Sequence, residues 1–406
     1  MIGISTALEF ARDGHQVTVY EQMNATAEDA SFAPGGWLSP LAVQSLAAPG
    51  SGAPLKLLQS HSGLLRTSNM LASPTWRWMR QWKKNEKLSS QDDSKRFSTA
   101  LHALSNYSSS LRWQDCEDPS WAAERTTGNL VLLRTTREVA FWSAKIPYLQ
   151  EQGIACRILD PQQALLLEPG LGLEISWVSA LHFPSGESIN PRLWTQHLRI
   201  QAQAVGINFH TSTSVQEINT EPVGIKTNAG LHPYDTVVVC TGANTSLLKA
   251  LGMRFPLMPT WGYSITAPVR SHLQAPRNAV MDWAEQVIIS RMGERIRITG
   301  GLEMNRNAAS PHHHQTLQRM YNLLNNWFPG GAHLSSPQVQ VWRGVRGYLP
   351  DGLPAIGSSR HPNIWLNMGH GSHGASLAAG CARAIADLAN NQSTAIDMQA
   401  FSPLRF

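Results

Sequence analysis

Four stretches of this chain carry residue types whose spacing could do chemistry. The densest lies near the carboxyl end. Residues 344–357 read Gly-Val-Arg-Gly-Tyr-Leu-Pro-Asp-Gly-Leu-Pro-Ala-Ile-Gly, residues 363–374 read Asn-Ile-Trp-Leu-Asn-Met-Gly-His-Gly-Ser-His-Gly, and a small-residue helical run over 375–388 follows. A strand, a glycine-rich turn and a helix N-terminus in that order accept negative charge, because the first N–H groups of a helix have no partner within it and point along its dipole. Against a flavin, such a helix end would stabilise charge at N1 and O2 of the reduced ring. The alternative is a plain tight turn over 369–374.

The second stretch is the amino end. Ile4, Ala7, Leu8 and Ala11 recur at helical spacing, Asp13-Gly14 stops the helix, and Val17–Tyr20 is a β-branched run that reads as a buried strand ending at Glu21. This is the second half of a dinucleotide-binding βαβ unit. Gly3 stands where the third glycine of G-x-G-x-x-G allows close helix–strand packing, and Glu21 where a carboxylate accepts the ribose hydroxyls of an adenosine. The first strand and first two glycines of such a unit would precede Met1. An ordinary α/β unit with a surface Glu is the other reading. The third stretch, 31–40, reads Ser-Phe-Ala-Pro-Gly-Gly-Trp-Leu-Ser-Pro, a loop small enough to let backbone approach a planar ligand. In the fourth, an apolar strand over Asp235–Cys240 runs into Thr241-Gly242-Ala243 and a helix over 244–251. This resembles the second dinucleotide contact of flavoproteins with two dinucleotide-binding domains.

The elements that must position these stretches are mixed. Strands are expected at 128–134, 154–159, 180–184, 207–210, 214–218 and 338–343, and helices at 145–153, 161–168, 191–205 and 316–327. The alternation over 255–298, with strands at 263–267, 287–291 and 296–299, predicts an antiparallel sheet. The tryptophans of 71–122 (Trp76, Trp78, Trp82, Trp113 and Trp121) read as a helical cap region with aromatic packing.

The chain has 406 residues, 42% hydrophobic and 15% charged, which excludes wholesale disorder and allows two or three folding units. No apolar run reaches the length of a membrane-spanning helix. Thirty-three Lys and Arg against twenty-eight Asp and Glu give +5, with the basic residues dispersed and no nucleic-acid motif behind them. The densest basic run, Arg80–Lys87, reads as a solvated face or as a surface resting on acidic lipid. The cysteines, Cys116, Cys156, Cys240 and Cys381, form no C-x-x-C pair and read as reduced thilos of a cytosolic-type compartment, and no secretory signal is evident. Three adjacent histidines, His312–His314, would face different ways and read as a loop, so no metal site is expected.

In order along the chain, Gly3–Glu21, Ser31-Phe32-Ala33, Glu168-Pro169, Trp261-Gly262-Tyr263-Ser264-Ile265, 287–301, Gly344-Val345-Arg346, Pro350-Asp351-Gly352, Trp365-Leu366-Asn367 and Gly369-His370-Gly371 resemble the D-amino acid oxidase-like FAD oxidoreductases, in particular the small subunits of bacterial D-amino acid dehydrogenases. The resemblance is collinear over nearly the whole chain. It departs at Pro34, where Asn is usual, at Gly347-Tyr348-Leu349, where a Pro-led triplet is usual, and at His373, where an apolar residue is usual.

The resemblance implies an α/β fold, a Rossmann-like FAD-binding domain with an inserted α+β antiparallel-sheet substrate domain. Its segments would be 1–88, 146–255 and 341–406 for FAD, and 89–145 and 256–340 for substrate. It implies oxidation of a D-amino acid by hydride transfer from Cα to flavin N5, hydrolysis to a 2-oxo acid and ammonia, and a quinone-type acceptor reached from the cytoplasmic face of a membrane. Arg346 would grip the α-carboxylate, with Tyr263 and Tyr348 as candidate phenols and His370 near the flavin edge. Cofactor contacts would fall at Gly3, Glu21, Gln22, Ser31, Phe32, Ala33, Val215, Thr241, Gly242, Gly344, Gly369, His370, Gly371, Ser372, His373 and Gly374. The alternatives are an oxygen-using glycine/sarcosine-type amine oxidase on the same fold and a truncated, non-catalytic remnant unable to hold FAD.

Overall fold

The computed structural model describes residues 1–38, 65–67, 73–89, 93–253, 255–304 and 313–406. Its strands are β1 (Thr18–Tyr20), β2 (Leu65–Thr67), β3 (Thr126–Leu133), β4 (Arg157–Leu159), β5 (Ser179–Ser188), β6 (Asn208–His210), β7 (Glu217–Thr220), β8 (Val223–Thr227), β9 (Gly230–Pro233), β10 (Val237–Val239), β11 (Met258–Pro268), β12 (Val280–Asp282), β13 (Val287–Met292), β14 (Arg295–Met304), β15 (Gln340–Tyr348), β16 (Ala355–Ser358) and β17 (Ile364–Met368). The longer helices are α1 (Ile2–Arg12), α2 (Ser73–Ser89), α3 (Asp93–Leu111), α4 (Pro191–Ala204), α5 (His314–Trp327) and α6 (Gly374–Ala389).

Parallel pairing occurs in two small sheets. β1 pairs β6, and β10 pairs β17, both in parallel, with β16 antiparallel to β17. Helices α1 and α6 pack together beside these strands. Arg383 of α6 joins them by donating from Nη1 to Glu9 at 2.9 Å and to Asp13 at 3.0 Å. Helix α3 covers α6 through Leu101 and Leu104 against Leu377, Cys381 and Ile385. β1 is half-buried rather than buried, because among the described residues it has one strand neighbour, β6.

The larger sheet runs β15-β11-β14-β13-β12-β3-β5-β4, with β2 added to β14. It includes β4 and β5, which lie within 146–255, together with all of β15. Its two faces differ, because side chains alternate along a strand. On one face Tyr263, Ile265, Val287, Ile289, Ile296 and Ile298 pack against Met320, Leu324 and Trp327 of α5. The other face carries Ser264, Thr266, Thr299, Arg297, Gly262, Gly344 and Arg346, and it turns toward the loop of residues 31–37. Arg297 donates to Pro34 O at 3.2 Å, and Ser290 donates to Gly35 O at 3.0 Å. A polar, glycine-floored sheet face that meets the loop of residues 31–37 is the geometry that sets the site.

Two local expectations change. The strand expected from residue 214 begins at Glu217, because the N–H groups of Ser212 and Thr213 are taken by Met23 O and Glu21 O at 2.8 and 2.9 Å. The histidine run is not a free loop. His314 opens α5 and His313 caps it, its Nδ1 accepting from Thr316 N at 3.3 Å, while His312 lies outside the described residues.

Candidate active site

Strand β15 brings the chemistry-bearing residues to one place. Arg346 is directly opposite Thr260, and Gly344 directly opposite Gly262. The guanidinium folds across Gly262, where a Cβ would overlap Nη2 and stand 2.9 Å from Cζ. Only a residue without Cβ leaves that space. From there Arg346 Nη1 donates to Ser372 Oγ at 2.6 Å. The Tyr348 hydroxyl bonds the same Oγ, and Tyr348 pairs with His370 across an isolated antiparallel bridge. Residues 371–373 form a 3-10 turn leading into α6, whose first turn has no side-chain cap. The structure therefore gathers Arg346, Tyr348, His370, Ser372 and the glycine turn at the open N-terminus of α6.

Tyr263 is not in that group. It is 1% exposed and lies on the opposite sheet face, where its hydroxyl donates to Glu303 at 2.9 Å and accepts from His313 N at 3.1 Å. Its pKa is raised, first by burial and then by Glu303. Adjacent residues of a strand face opposite ways, so Gly262 below Arg346 sends Tyr263 into the core.

His370 is 9% exposed, and its Nε2 has no hydrogen-bond partner among the described residues. Burial, followed by the charges of His373 and the Met1 amino group, lowers its pKa to about 3. The imidazole is therefore neutral across the physiological range. Trp37 Nε1 and Asn367 Oδ1 are likewise buried without a partner among the described residues. A buried polar atom left unpaired costs about 1–3 kcal/mol. The two at the turn, on His370 and Asn367, fit a polar ligand that satisfies them, whereas the Trp37 ring packs in the cluster of Trp142 and Trp283.

The remaining expected contacts fall along one path. Glu21 ends β1 with its carboxylate accepting from Met23 N at 3.0 Å. Gln22 is exposed beside it, and the segment leading to half-buried Val215 is hydrogen bonded to Glu21 and Met23. Gly3 lies on Cys240, its Cβ position 3.5 Å from the Cys240 Cβ. Thr241 and Gly242 follow β10, with Thr241 Oγ1 donating to Asn244 O at 2.6 Å. Ser31, Phe32 and Ala33 lie on the loop facing the polar sheet face, where Phe32 stacks on Trp342 with ring centroids 5.7 Å apart. The last residues of the expected 31–40 loop, 39 and 40, lie outside the described residues. Trp342 escapes a motif-based reading, although a period of two counts back from Arg346 through Gly344 to it on one face.

The comparisons with known proteins decide what family this architecture serves. A family model described as FAD dependent oxidoreductase matches residues 1–388. The chain belongs to that family. Among its relatives is a D-amino acid dehydrogenase of Rhodopseudomonas palustris, 32% identical over 417 residues, covering all of this chain and 96% of the relative. A D-amino acid dehydrogenase of Bradyrhizobium diazoefficiens is 30% identical, covering all of this chain and 97% of the relative. The glycine oxidase of Geobacillus kaustophilus has the same fold, with a TM-score of 0.73, 19% identity, and coverage of 100% of this chain and 96% of that one. The L-proline dehydrogenase of P. horikoshii superposes with a TM-score of 0.69 at 17% identity, covering 100% and 95%. The family's cofactor is FAD, and the protein is an FAD-dependent oxidoreductase of the α/β architecture described above. The residues fit that cofactor: an uncapped α6, unpaired buried polar atoms beside it, and Glu21 at the carboxyl end of a parallel strand.

Proposed function

We propose that this protein oxidatively deaminates D-amino acids to 2-oxo acids and ammonia and passes the electrons to a quinone-type acceptor. The observation that carries the reading is the Arg346 guanidinium, half-exposed over Gly262 and fixed by Ser372 at the turn before α6. When bound, FAD supplies the acceptor for the hydride leaving the substrate's Cα. Glu21, Gly3, Thr241 and Gly242 would hold its adenosine half, and residues 31–33 and 369–374 its ring. Arg346 binds the α-carboxylate through two parallel N–H donors, which sets the substrate's orientation as well as its affinity. Tyr348 and Ser372 hold that fork in place. The neutral imidazole of His370 would offer the cofactor one hydrogen bond without adding charge. The loop of residues 31–37 closes over the polar sheet face and keeps water from the reacting carbon.

The names of the full-length relatives support a D-amino acid as substrate. No helix among the described residues is long and apolar enough to cross a membrane. Access to a lipid-dissolved quinone would therefore come from a peripheral surface. Helix α2 offers one on the cytoplasmic side, with Arg77, Arg80, Lys83 and Lys84 exposed, while the Lys87 side chain lies outside the described residues.

The test is a panel of D- and L-amino acids with the FAD-loaded enzyme, followed by reduction of an artificial quinone. D-isomers are expected to reduce the dye and L-isomers to fail. Turnover of L-isomers alone would defeat the assignment, and peroxide formed as fast as the dye is reduced would defeat the quinone.

A further inference from the structure

We propose that Trp342, backed by Phe32, is the wall against which the substrate's side chain packs, and that it selects D-amino acids with aromatic or large apolar side chains. This rests on the preceding reading and specifies its substrate class. Trp342, Gly344 and Arg346 share one face of β15. The indole folds back over Gly344, where a Cβ would overlap Cη2 and Cζ3 and stand 3.0 Å from Cζ2. The guanidinium folds over Gly262 in the same manner. These two glycines are directly opposed across β11 and β15. Opposed Cβ positions in an antiparallel pair stand about 5 Å apart, so indole edge and guanidinium are neighbours on a floor of two glycines.

A carboxylate seated on Arg346 places the substrate's Cβ two bonds away, and its side chain reaches the indole without any movement of the strand. The far side of the wall is also aromatic. Phe32 stacks on Trp342 with 29° between the ring planes. Arg192 covers Phe32 at 4.2 Å and is itself bonded to Glu28 at 2.8 Å. The charge of Arg192 is met by that carboxylate, and Arg297 on the same sheet face is turned onto Thr266 Oγ1 at 2.8 Å and Pro34 O at 3.2 Å, so the wall offers π surface rather than a free cation for an acidic side chain.

The FAD-loaded enzyme is assayed with D-alanine, D-phenylalanine and D-glutamate by dye reduction. Wild type should favour D-phenylalanine over D-glutamate. Trp342→Ala should raise KM for D-phenylalanine about tenfold more than it raises KM for D-alanine. Trp342→Phe, which keeps a ring on the same floor, should retain most of the preference. A second readout needs no turnover. Titrated into oxidised holoenzyme and followed by the flavin's visible absorption, 3-phenylpropionate should bind wild type about tenfold more tightly than propionate. Trp342→Ala should abolish that difference. Equal KM shifts for D-alanine and D-phenylalanine, or equal affinities of the two acids for wild type, overturn the wall while D-amino acid oxidation stands. A wild-type enzyme that oxidises no D-amino acid overturns both.

Discussion

Arg346 and Ser372 meet across two parts of the fold, the guanidinium on β15 of the large sheet and the hydroxyl on the turn entering α6, with Nη1 to Oγ at 2.6 Å. The bond uses one of the five N–H donors of a guanidinium. It fixes the plane of the fork while leaving other donors for an acid group. Ser372 accepts from Arg346 and bonds Tyr348 as well, so one hydroxyl orients both side chains.

Ser372→Ala therefore loosens the clamp without removing its charge. A hydrogen bond to a charged group contributes about 1.5–3 kcal/mol, and only the orienting part of that reaches substrate binding. KM for every D-amino acid is expected to rise about three- to tenfold, irrespective of side chain, with kcat less affected. Steady-state dye reduction measures it. A side-chain-dependent shift would mean that Ser372 acts on something other than the carboxylate.

Gly262→Ala tests the clamp from beneath. The new Cβ meets the far end of a flexible side chain rather than backbone. Displacement of the guanidinium is the expected result, with the strand pairing of β11 and β15 intact. KM should rise about tenfold or more, while the thermal midpoint changes little. A large loss of stability with unchanged KM would show that Arg346 does not depend on this floor.

Much of this site is legible in the residues, for identifiable reasons. The turn of residues 369–374, the Gly3-to-Glu21 unit and the small-residue loop are local signals, each set by backbone geometry that few residue types permit. Tyr263 shows where local signals stop. Its sequence neighbourhood matches that of a pocket phenol, yet which face of β11 it occupies depends on register with β14 and β15, a non-local property. The slippage between Trp261 and Tyr263, where the register with β14 shifts, is of the same kind. Trp342 is the converse, a residue whose role follows from alternation once Arg346 is placed. Membership of β4, β5 and β15 in one sheet is hidden for the same reason, since the sheet is closed by the pairing of Leu130 with Val280, far apart in the chain, which leaves no local mark.

His370 makes acid stability an indicator of the site. Burial first, then His373 and the Met1 amino group, holds its pKa to about 3, against about 6.5 for an unperturbed imidazole. Between those values an unfolded chain binds a proton that the folded chain refuses. Stability therefore rises with pH through this window and is lost as pH falls below about 6.5, by up to about 1.4 kcal/mol per unit. His102, His182 and His197 are lowered by burial in the same direction, so the informative quantity is the difference between variant and wild type. His370→Asn should lose less stability than wild type between about pH 7 and pH 5. Thermal unfolding curves that fall in parallel over that range would show the imidazole to be solvated and protonatable in the folded state.

Helix α2 has two faces of different character. Trp78 and Trp82 are buried, and Trp78 Nε1 donates to Tyr348 O at 3.1 Å, one residue pair away from His370. Trp76, 56% exposed, shares the outer face with Arg77, Arg80, Lys83 and Lys84, and Arg80 lies over its ring at 5.6 Å. At 100° per residue these outer positions span about a third of the helix surface. A basic face with an exposed indole suits an anionic bilayer, where each Lys or Arg near the surface contributes about 1 kcal/mol and salt screens the attraction. Wild type is expected to sediment with phosphatidylglycerol vesicles at low salt and to be released as salt rises, and to ignore phosphatidylcholine vesicles. Lys83→Glu with Lys84→Glu removes two attractions and adds two repulsions, up to about 4 kcal/mol, enough to leave the protein in the supernatant. Dye reduction in solution should be unchanged in that variant, because neither lysine reaches the site, whereas reduction of a vesicle-dissolved quinone should fall. Sedimentation that survives the charge reversal would place the membrane surface elsewhere on the molecule.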